Sequence, residues 1–139
     1  MNDELALLES EYDALCQRVK PCASKYTLLT ERQDNGSPHV EFSGGEYHYI
    51  VTERGLDLES RSTADRSEIL YWMVYDLTFW MGVAYEFKNR IDGPDVRRVI
   101  FDHWLDLMKK ADLAFADRLK VHIAETLDKN PFIDQDPLG

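Results

Sequence analysis

The feature that most constrains this chain is an almost unbroken apolar run near its middle, residues 68–92, with the sequence EILYWMVYDLTFWMGVAYEFKNRID. Asp76 is the one acid near the centre of this run. A helix that is apolar on every side must be surrounded, either by lipid or by the rest of the protein. The choice between these two surroundings decides what kind of protein the chain forms.

The run favours a protein interior over a membrane. Its stretch 69–87 approaches the roughly 20 residues that cross a bilayer, but Asp76 would then lie near the hydrocarbon centre, which is unfavourable. The aromatic residues are spread along the whole run, whereas a spanning helix concentrates Trp and Tyr at the two interfaces. We therefore predict a buried central helix and no membrane partner.

Length and charge narrow the class of protein. A chain of 139 residues predicts a single domain, 1–139, because it can bury about two thirds of the surface that its unfolded form exposes. The net charge of −10, from 16 Lys and Arg against 26 Asp and Glu, argues against nucleic acid as a partner, since phosphates attract a basic surface. An acidic surface fits either a basic partner or simple solubility.

The two cysteines, Cys16 and Cys22, bear on the compartment. The chain opens with the acidic segment MNDELALLESEYD, where a secretory signal would be basic and then apolar. We therefore predict a cytoplasmic protein with free thiols. A single C-x5-C pair also lacks the four ligands of a structural zinc site, so we predict no metal and no cofactor.

Periodicity along the chain predicts an α+β fold with an N-terminal helix, a small antiparallel β meander and a C-terminal helical bundle. The first helix covers 1–20 and stops at Pro21. The meander covers 26–62, where four short runs separated by Asn-Gly, Gly-Gly and Arg-Gly turns predict about four strands. The bundle covers 63–130 and has about three helices, including the buried central one, and the tail 131–139 is irregular.

Two breaks divide the predicted bundle. Asp92, Gly93 and Pro94 end the central helix and allow a new one to start. From there to Asn130 one straight helix would be about 54 Å long, which exceeds the diameter of a compact domain of this size. We therefore expect a bend at 110–112, where an aspartate can cap the second segment.

No constellation of residues indicates catalysis. The four histidines are scattered, and the usual nucleophile, phosphate-loop and metal motifs are missing from the sequence. Asp76 and Glu86 are the acids that we expect to be buried, and ten helical residues place them about 15 Å apart, too far to share one substrate bond. We predict that both acids form a structural polar network with Arg90, Arg97 and Arg98, in a protein that is not an enzyme.

Two alternatives stay open at this point. In the first, the chain is a small enzyme or ligand-binding α+β domain that uses Asp76, Glu86, His103 and Arg97, which requires a pocket where these groups converge. In the second, it is a homodimeric adaptor that associates through its surplus aromatic residues.

Several short motifs from residue 38 onward have a distinctive spacing as a set. They are Glu53-Arg54-Gly55 after a strand, Glu68-Ile69-Leu70-Tyr71-Trp72, Asp76 with Thr78 and Phe79, Tyr85-Glu86 with Asn89-Arg90, Asp95 with Arg97-Arg98 and Phe101, and Asn130-Pro131-Phe132 with Asp134. This set resembles the immunity protein 63 family, the antidotes encoded beside toxins of bacterial polymorphic toxin systems. The resemblance implies a cytoplasmic inhibitor that binds a toxin domain and blocks it without chemistry of its own.

For such an inhibitor, the acidic charge predicts a basic toxin, and a nuclease is one such toxin because its substrate is acidic. We expect the toxin to contact acids and aromatic residues of the sheet region. These predicted contacts are Glu46, Tyr47, His48, Tyr49, Glu53, Asp57 and Glu59. The acids of the first helix, Glu9, Glu11 and Asp13, are a second candidate patch, and the oligomeric state stays open.

Overall fold

The structure, a computed structural model, describes residues 2–135. Its elements in chain order are α1 (Asp3–Val19), β1 (Asn35–Ser43), β2 (Glu46–Glu53), β3 (Leu56–Thr63), α2 (Arg66–Lys88), α3 (Val96–Ala111) and α4 (Leu113–Lys129). The predicted α+β class, with a helix, an antiparallel sheet and then helices, is confirmed. The chain divides into two compact units, one up to Met73 and one from Val74 on, and the expectation of a single domain stays a prediction.

The helix α1 begins and ends where its sequence predicts. The Asn2 side chain accepts a hydrogen bond from the Leu5 N–H at 2.8 Å, which satisfies one of the first donors of the helix, and the helix ends just before Pro21. Its buried residues are Leu5, Leu8, Leu15, Cys16 and Val19. Both thiols are free, as predicted, and burial raises the pKa of the Cys16 thiol to about 12.

Three antiparallel strands form one sheet in the order β1-β2-β3. Two-residue turns at 44–45 and 54–55 join them, and the φ angles of these four residues lie between 53° and 79°. Turns with positive φ match the right-handed twist of the strands, and glycine adopts that conformation without strain. The Gly-Gly and Arg-Gly turn signals in the sequence therefore correspond to the turns of the sheet.

The prediction of about four strands is wrong, because residues 26–32 form no strand. One backbone hydrogen bond of 2.8 Å joins this segment to β1. Other N–H groups of the segment bind carboxylates of α1, with Tyr26 donating to Asp13 at 2.8 Å and Leu28 donating to Glu9 at 3.1 Å. Side-chain acceptors on a helix thus replace the ladder that a fourth strand would have formed.

The same contacts correct the second candidate patch on α1. Glu9 also pairs with Lys25 at 2.8 Å, and Glu11 accepts a hydrogen bond from Arg66 at 3.0 Å. These contacts lower the pKa of Glu9, chiefly through Lys25, and the pKa of Asp13, chiefly through a backbone N–H. All three acids are therefore engaged by other groups of the first unit, while the Glu11 side chain stays 41% exposed.

The second unit has the predicted bend, since α3 ends at Ala111 and α4 begins at Leu113. Asp112 lies between them, and its carboxylate accepts a hydrogen bond from the Phe115 N–H at 2.9 Å. A carboxylate at this position satisfies an N–H of the first helical turn and favours the positive end of the helix dipole. The position of the bend therefore follows from local capping chemistry.

Trp104 lies in the core of the second unit and is 3% exposed. Its indole N–H donates to the Tyr75 carbonyl at 3.2 Å and to the Thr78 hydroxyl at 3.1 Å, both on α2. The rings of Tyr75 and Phe79 meet the indole edge-on, with centroids at 4.8 and 5.0 Å. One turn further along α2, a Cβ on Gly82 would lie 3.0 Å from a carbonyl oxygen of α3. The two helices therefore pack closely. The Trp104 side chain of α3 lies against α2, and the backbone of α3 lies against Gly82.

The prediction that the central helix is buried on all sides is wrong for its second half. Ile69 and Val74 are fully buried, as expected, but Trp80 exposes 66% and Phe87 exposes 74% of its surface. Both aromatic residues lie on the side of α2 opposite Gly82, which faces α3. The helices of the second unit thus cover one side of α2.

The chain after α4 has no helix or strand up to residue 135, yet it is bound to the start of α3. The Arg97 guanidinium donates to the Asn130 carbonyl at 2.9 Å and to the Pro131 carbonyl at 2.8 Å. Arg98 pairs with the carboxylate of Asp134 at 2.8 Å. Two neighbouring arginines of one helical turn therefore hold this segment, 131–135, which we call the tail.

Asp95 joins the tail to the amino end of α3. Its carboxylate accepts the Arg97 N–H at 3.0 Å as a helix cap and the Ile133 N–H at 2.9 Å from the tail. In return, the Asp95 N–H donates to Asp134 at 2.8 Å. The chain beyond the tail, 136–139, lies outside the described residues.

We expect Gly82→Leu to destabilise the protein by about 1–3 kcal/mol, because the new side chain must enter the contact between α2 and α3. Ala124→Leu is the matched control, since Ala124 is exposed on α4 and should change stability by less than about 0.5 kcal/mol. Urea unfolding followed by circular dichroism measures both. Equal stabilities of the two variants would contradict the close packing at Gly82.

The ion pairs that hold the tail predict that the protein loses stability in acid. Arg97 holds the pKa of Asp95 well below its ordinary value, and Arg98 lowers the pKa of Asp134. A carboxylate with a lowered folded-state pKa contributes stability above its unfolded pKa of about 4, and this contribution is lost as the pH falls through the folded-state pKa. We expect Asp134→Asn to lower the melting temperature at pH 7 and to reduce its decline below about pH 4.

Thermal unfolding from pH 7 to about pH 2 measures this effect, with Asp128→Asn on an exposed position of α4 as the control. The control should follow the parent protein at every pH. Parallel curves for the parent and for Asp134→Asn would contradict a role of the tail in acid sensitivity.

Candidate functional site

The strand β3 lies at the outer edge of the sheet, and residues 56–60 are all exposed. Leu56 exposes 68% and Leu58 exposes 59% of its surface, and exposed acids alternate with them along the strand. The opposite outer strand, β1, is joined to the segment that precedes it, whereas the described strands pair β3 with β2 alone. An outer strand with exposed leucines is a surface on which another protein chain can pack.

We call this surface the β3 edge surface and define it by five exposed residues of β3 and of the end of β2. They are Glu53, Leu56, Asp57, Leu58 and Glu59. Three of them were predicted contacts, and the two leucines were missed. The sequence does contain a signal for these leucines. Leucine occupies two alternate positions of an otherwise polar strand, and at the edge of a sheet such residues lack a neighbouring strand to pack on.

Five of the seven predicted contact residues lie at or near the surface of the first unit, and two do not. The five are Glu46, His48, Glu53, Asp57 and Glu59. Tyr47 and Tyr49 are 2% and 3% exposed, so the expectation that they face a partner is wrong. Because side chains alternate along a strand, both tyrosines point to the covered face of β2, together with Val51.

The buried tyrosines position the sheet within its unit. The Tyr47 hydroxyl donates to Glu4 of α1 at 3.0 Å, and burial raises the pKa of this tyrosine. The Tyr49 ring lies beside Arg61 of β3, whose guanidinium carbon is also 4.5 Å from the ring centroid of Trp72. These contacts fix β3 against the first turns of α2 and leave its other residues outside.

His48 ties the three strands together. Its Nδ1 lies 2.7 Å from the Ser62 hydroxyl on β3, and its Nε2 lies 2.9 Å from the Ser43 hydroxyl on β1. A histidine bound on both nitrogens keeps neighbouring strands in register. His48 therefore holds in place the strands that carry the β3 edge surface and is not itself one of the residues of that surface.

The acids of the β3 edge surface lie in a strongly acidic unit. Residues 2–73 contain seven Lys and Arg against fourteen Asp and Glu, so this unit carries −7 of the net charge of −10. Asp57 meets Arg32 at 3.3 Å and Glu59 meets Arg61 at 2.8 Å, in pairs whose side chains are 40–58% exposed. Exposed ion pairs are weak, so a basic partner could exchange with these arginines.

The expected polar network of the helical unit is two separate groups of bonds. Glu86 is 3% exposed and binds Arg90 one turn later through both guanidinium nitrogens Nε and Nη2, at 3.0 and 2.8 Å. Arg97 and Arg98 instead bind Asp95 and the tail. Asp76 is half-buried, two turns or more before Glu86 on α2. The predicted pairing of Glu86 with Arg97 and Arg98 across the break is therefore corrected.

These bonds also bear on the alternative of an enzyme that uses Asp76, Glu86, His103 and Arg97. Glu86 and Arg97 are each engaged with a different partner, and His103 stacks on the Tyr85 ring with centroids at 3.9 Å. Glu86, His103 and Arg97 thus serve three separate contacts, which is not the arrangement of an acid and base pair around one substrate.

A cleft of about 280 Å³ opens in the helical unit beside Trp104. Aromatic rings and aliphatic side chains line most of it, and Tyr75 closes one side through a 3.0 Å hydrogen bond to His122. Of the four groups just named, Arg97 alone lines this cleft. Its lining is that of an incompletely filled core and offers no arrangement for acid and base chemistry.

A second exposed surface lies along the later half of α2. Trp80, Ala84 and Phe87 follow one another at helical spacings of four and three residues, and Ile91 lies three residues beyond the end of α2 at Lys88. Trp80, Phe87 and Ile91 expose 66%, 74% and 66% of their surfaces, and Ala84 is exposed as well. We call these four residues the α2 stripe. It was missed because the whole run was predicted to be covered.

Among residues 2–135, no three or more His, Cys, Asp or Glu side chains are arranged to hold a metal ion. No helix in this range combines the length and the apolarity that crossing a membrane requires.

Comparison with known proteins gives a family match. A family model described as Immunity protein 63 matches residues 43–125, which is more than half of the chain. The matched range includes the β3 edge surface and the α2 stripe and stops before the tail. No curated protein and no solved structure matches the chain.

Proposed function

The chain belongs to the immunity protein 63 family, and on this premise we propose that it binds a cognate toxin domain and neutralises it without catalysis of its own. The family supplies the kind of function, and the surface of the chain supplies the way in which it would act. The separate engagement of Glu86, His103 and Arg97 supports stoichiometric capture over chemistry.

The observation that carries the proposal is the β3 edge surface. Leu56 and Leu58 are large apolar side chains that nothing covers within the described residues, and Asp57 and Glu59 alternate with them. Apolar anchors surrounded by polar groups are the usual composition of a binding surface. We propose that a segment of the toxin packs on the leucines while its basic side chains meet Glu53, Asp57 and Glu59.

The proposed toxin is basic, since the unit that carries the β3 edge surface holds most of the negative charge of the chain. Opposite charge raises the rate of encounter, and apolar anchors slow dissociation. A nuclease is the toxin class that best fits, because a protein that binds nucleic acid needs a basic face. We propose that the encounter takes place in the cytoplasm, where such a toxin would reach its substrate.

The anchors are tested by binding to the purified toxin domain encoded beside the gene. We expect Leu58→Ala to weaken this binding by about 30-fold, because truncation of a buried anchor at an interface costs about 2 kcal/mol. Leu113→Ala is the matched control, since Leu113 is 72% exposed on α4 and should bind like the parent protein. Isothermal titration calorimetry measures both, and circular dichroism confirms that both variants fold.

Growth of cells that express the toxin domain gives a second readout. Cells with the parent protein or with Leu113→Ala should survive at low expression of the antidote, and cells with Leu58→Ala should need more of it. If both leucine variants protected equally at every expression level, the β3 edge surface would not be the toxin site. If the parent protein gave no protection, the proposed function itself would fall.

The acids are tested separately through the rate of association. We expect the double change Asp57→Lys and Glu59→Lys to lower the association rate constant by about tenfold at low salt, with a smaller loss at about 0.5 M salt. Asp117→Lys with Glu125→Lys makes the same charge change on exposed positions of α4 and serves as the control. Stopped-flow mixing with the toxin domain measures these rates. An equal loss of association rate in the β3 and α4 double variants would mean that the effect comes from net charge and not from the position of the acids.

A further inference from the structure

The α2 stripe continues a face of the helix that is buried nearer its start. Ile69 and Met73 precede Trp80 on this face at spacings of eleven and seven residues and are 0% and 7% exposed. From Trp80 onward the large apolar side chains of this face are exposed, with the Arg90 guanidinium carbon 5.6 Å from the Phe87 ring centroid. This face of α2 is thus buried at Ile69 and Met73 and exposed at Trp80 and Phe87, although its side chains are apolar in both parts.

The uncovered face extends past the end of α2. Ile91 borders a cleft of about 380 Å³ together with Val96 and Ile133, which are 40% and 76% exposed. Arg90, Asp92 and Asp95 also line this cleft, so the exposed apolar surface is the α2 stripe itself. Exposed apolar patches of this kind on small proteins usually mark an interaction surface.

We propose that the α2 stripe binds the α2 stripe of a second copy of this chain, with the two helices antiparallel about a twofold axis near Ala84. Trp80 lies four residues before Ala84 and Phe87 lies three residues after it, so a twofold axis at this point sets Trp80 of each copy against Phe87 of the other. The small side chain of Ala84 lets the helix axes approach to about 8–10 Å. Aromatic pairs across the axis would then reach their favoured separation.

Charge favours a second copy at this surface. The described part of the helical unit, residues 74–135, contains nine Lys and Arg against eleven Asp and Glu, so two such units repel each other little. Lys88 follows the middle of the stripe and Asp76 precedes it, while Arg90 is already paired with Glu86. An antiparallel arrangement therefore brings the basic end of one helix towards the acidic position of the other and opposes the two helix dipoles.

This dimer is independent of the proposed toxin binding and has a consequence for it. The dimer uses the α2 stripe, which shares no residue with the β3 edge surface. Each dimer would therefore carry two β3 edge surfaces.

Analytical ultracentrifugation of the purified protein from about 1 to about 300 μM tests the proposal without any toxin. We expect a reversible monomer–dimer equilibrium. Trp80→Glu and Phe87→Glu should each raise the dissociation constant of the dimer by about 30-fold or more, and Leu113→Glu should leave it unchanged. Both stripe positions are exposed in the monomer, so the melting temperature at low concentration should stay that of the parent protein. A monomer throughout the range would overturn the proposal.

Cross-linking tests the position of the twofold axis. In a Cys22→Ser background, Ala84→Cys should form a disulfide-linked dimer under mild oxidation, because residues at the axis can bring their Cα atoms within about 7 Å. Leu113→Cys is the control and should stay monomeric. A dimer that resists Trp80→Glu and gives no link at position 84 would place the interface elsewhere. A loss of toxin affinity in Trp80→Glu, with a monomeric parent protein, would assign the stripe to the toxin instead.

Discussion

The structure depends on how the apolar surface of α2 is covered. This helix contributes residues to the cores of both units, with Ile69 and Tyr71 in the first and Val74 and Thr78 in the second. In the second unit the covering is close, because Gly82 lets the backbone of α3 approach and the Trp104 indole binds acceptors on α2. What lies on the other side of α2 in that unit is left for solvent or for another protein.

The sequence predicts well what is decided locally. Helix ends follow from Pro21 and from the capping aspartate Asp112, and the hairpin turns follow from glycines that tolerate positive φ, whereas the cap of α3 by Asp95 was not predicted. The buried side of α1 follows from the helical period of its leucines. Each of these features involves residues within a few positions of one another.

The features that the sequence does not predict involve partners far apart in the chain. The segment at 26–32 has the composition of a strand, but carboxylates of Asp13 and Glu9 take its N–H groups from thirteen and nineteen residues away. Arg97 and Arg98 similarly bind a tail more than thirty residues later instead of the acids of α2. Charged residues have many possible partners, and periodicity does not select among them.

The candidate functional site also combines features that the sequence predicts with features that depend on distant parts of the chain. The acids of the β3 edge surface were predicted to be exposed and are, whereas Tyr47 and Tyr49 were expected to face a partner and are buried, because the alternation of a strand does not say which of its two faces is covered. The exposure of Leu56, Leu58 and Trp80 does not follow from the sequence, because apolar residues are expected inside until the covering elements are known. Large apolar side chains at the surface thus become informative only once the fold is in hand.

Asp95 has a consequence for the order in which the protein is completed. The same carboxylate caps α3 and receives the N–H of Ile133, thirty-eight residues later, so a full set of bonds at the start of this helix requires a segment that is synthesised after both α3 and α4. During synthesis the start of α3 leaves the ribosome before this segment. The amino end of α3 therefore stays incomplete and hydrated until residue 133 emerges.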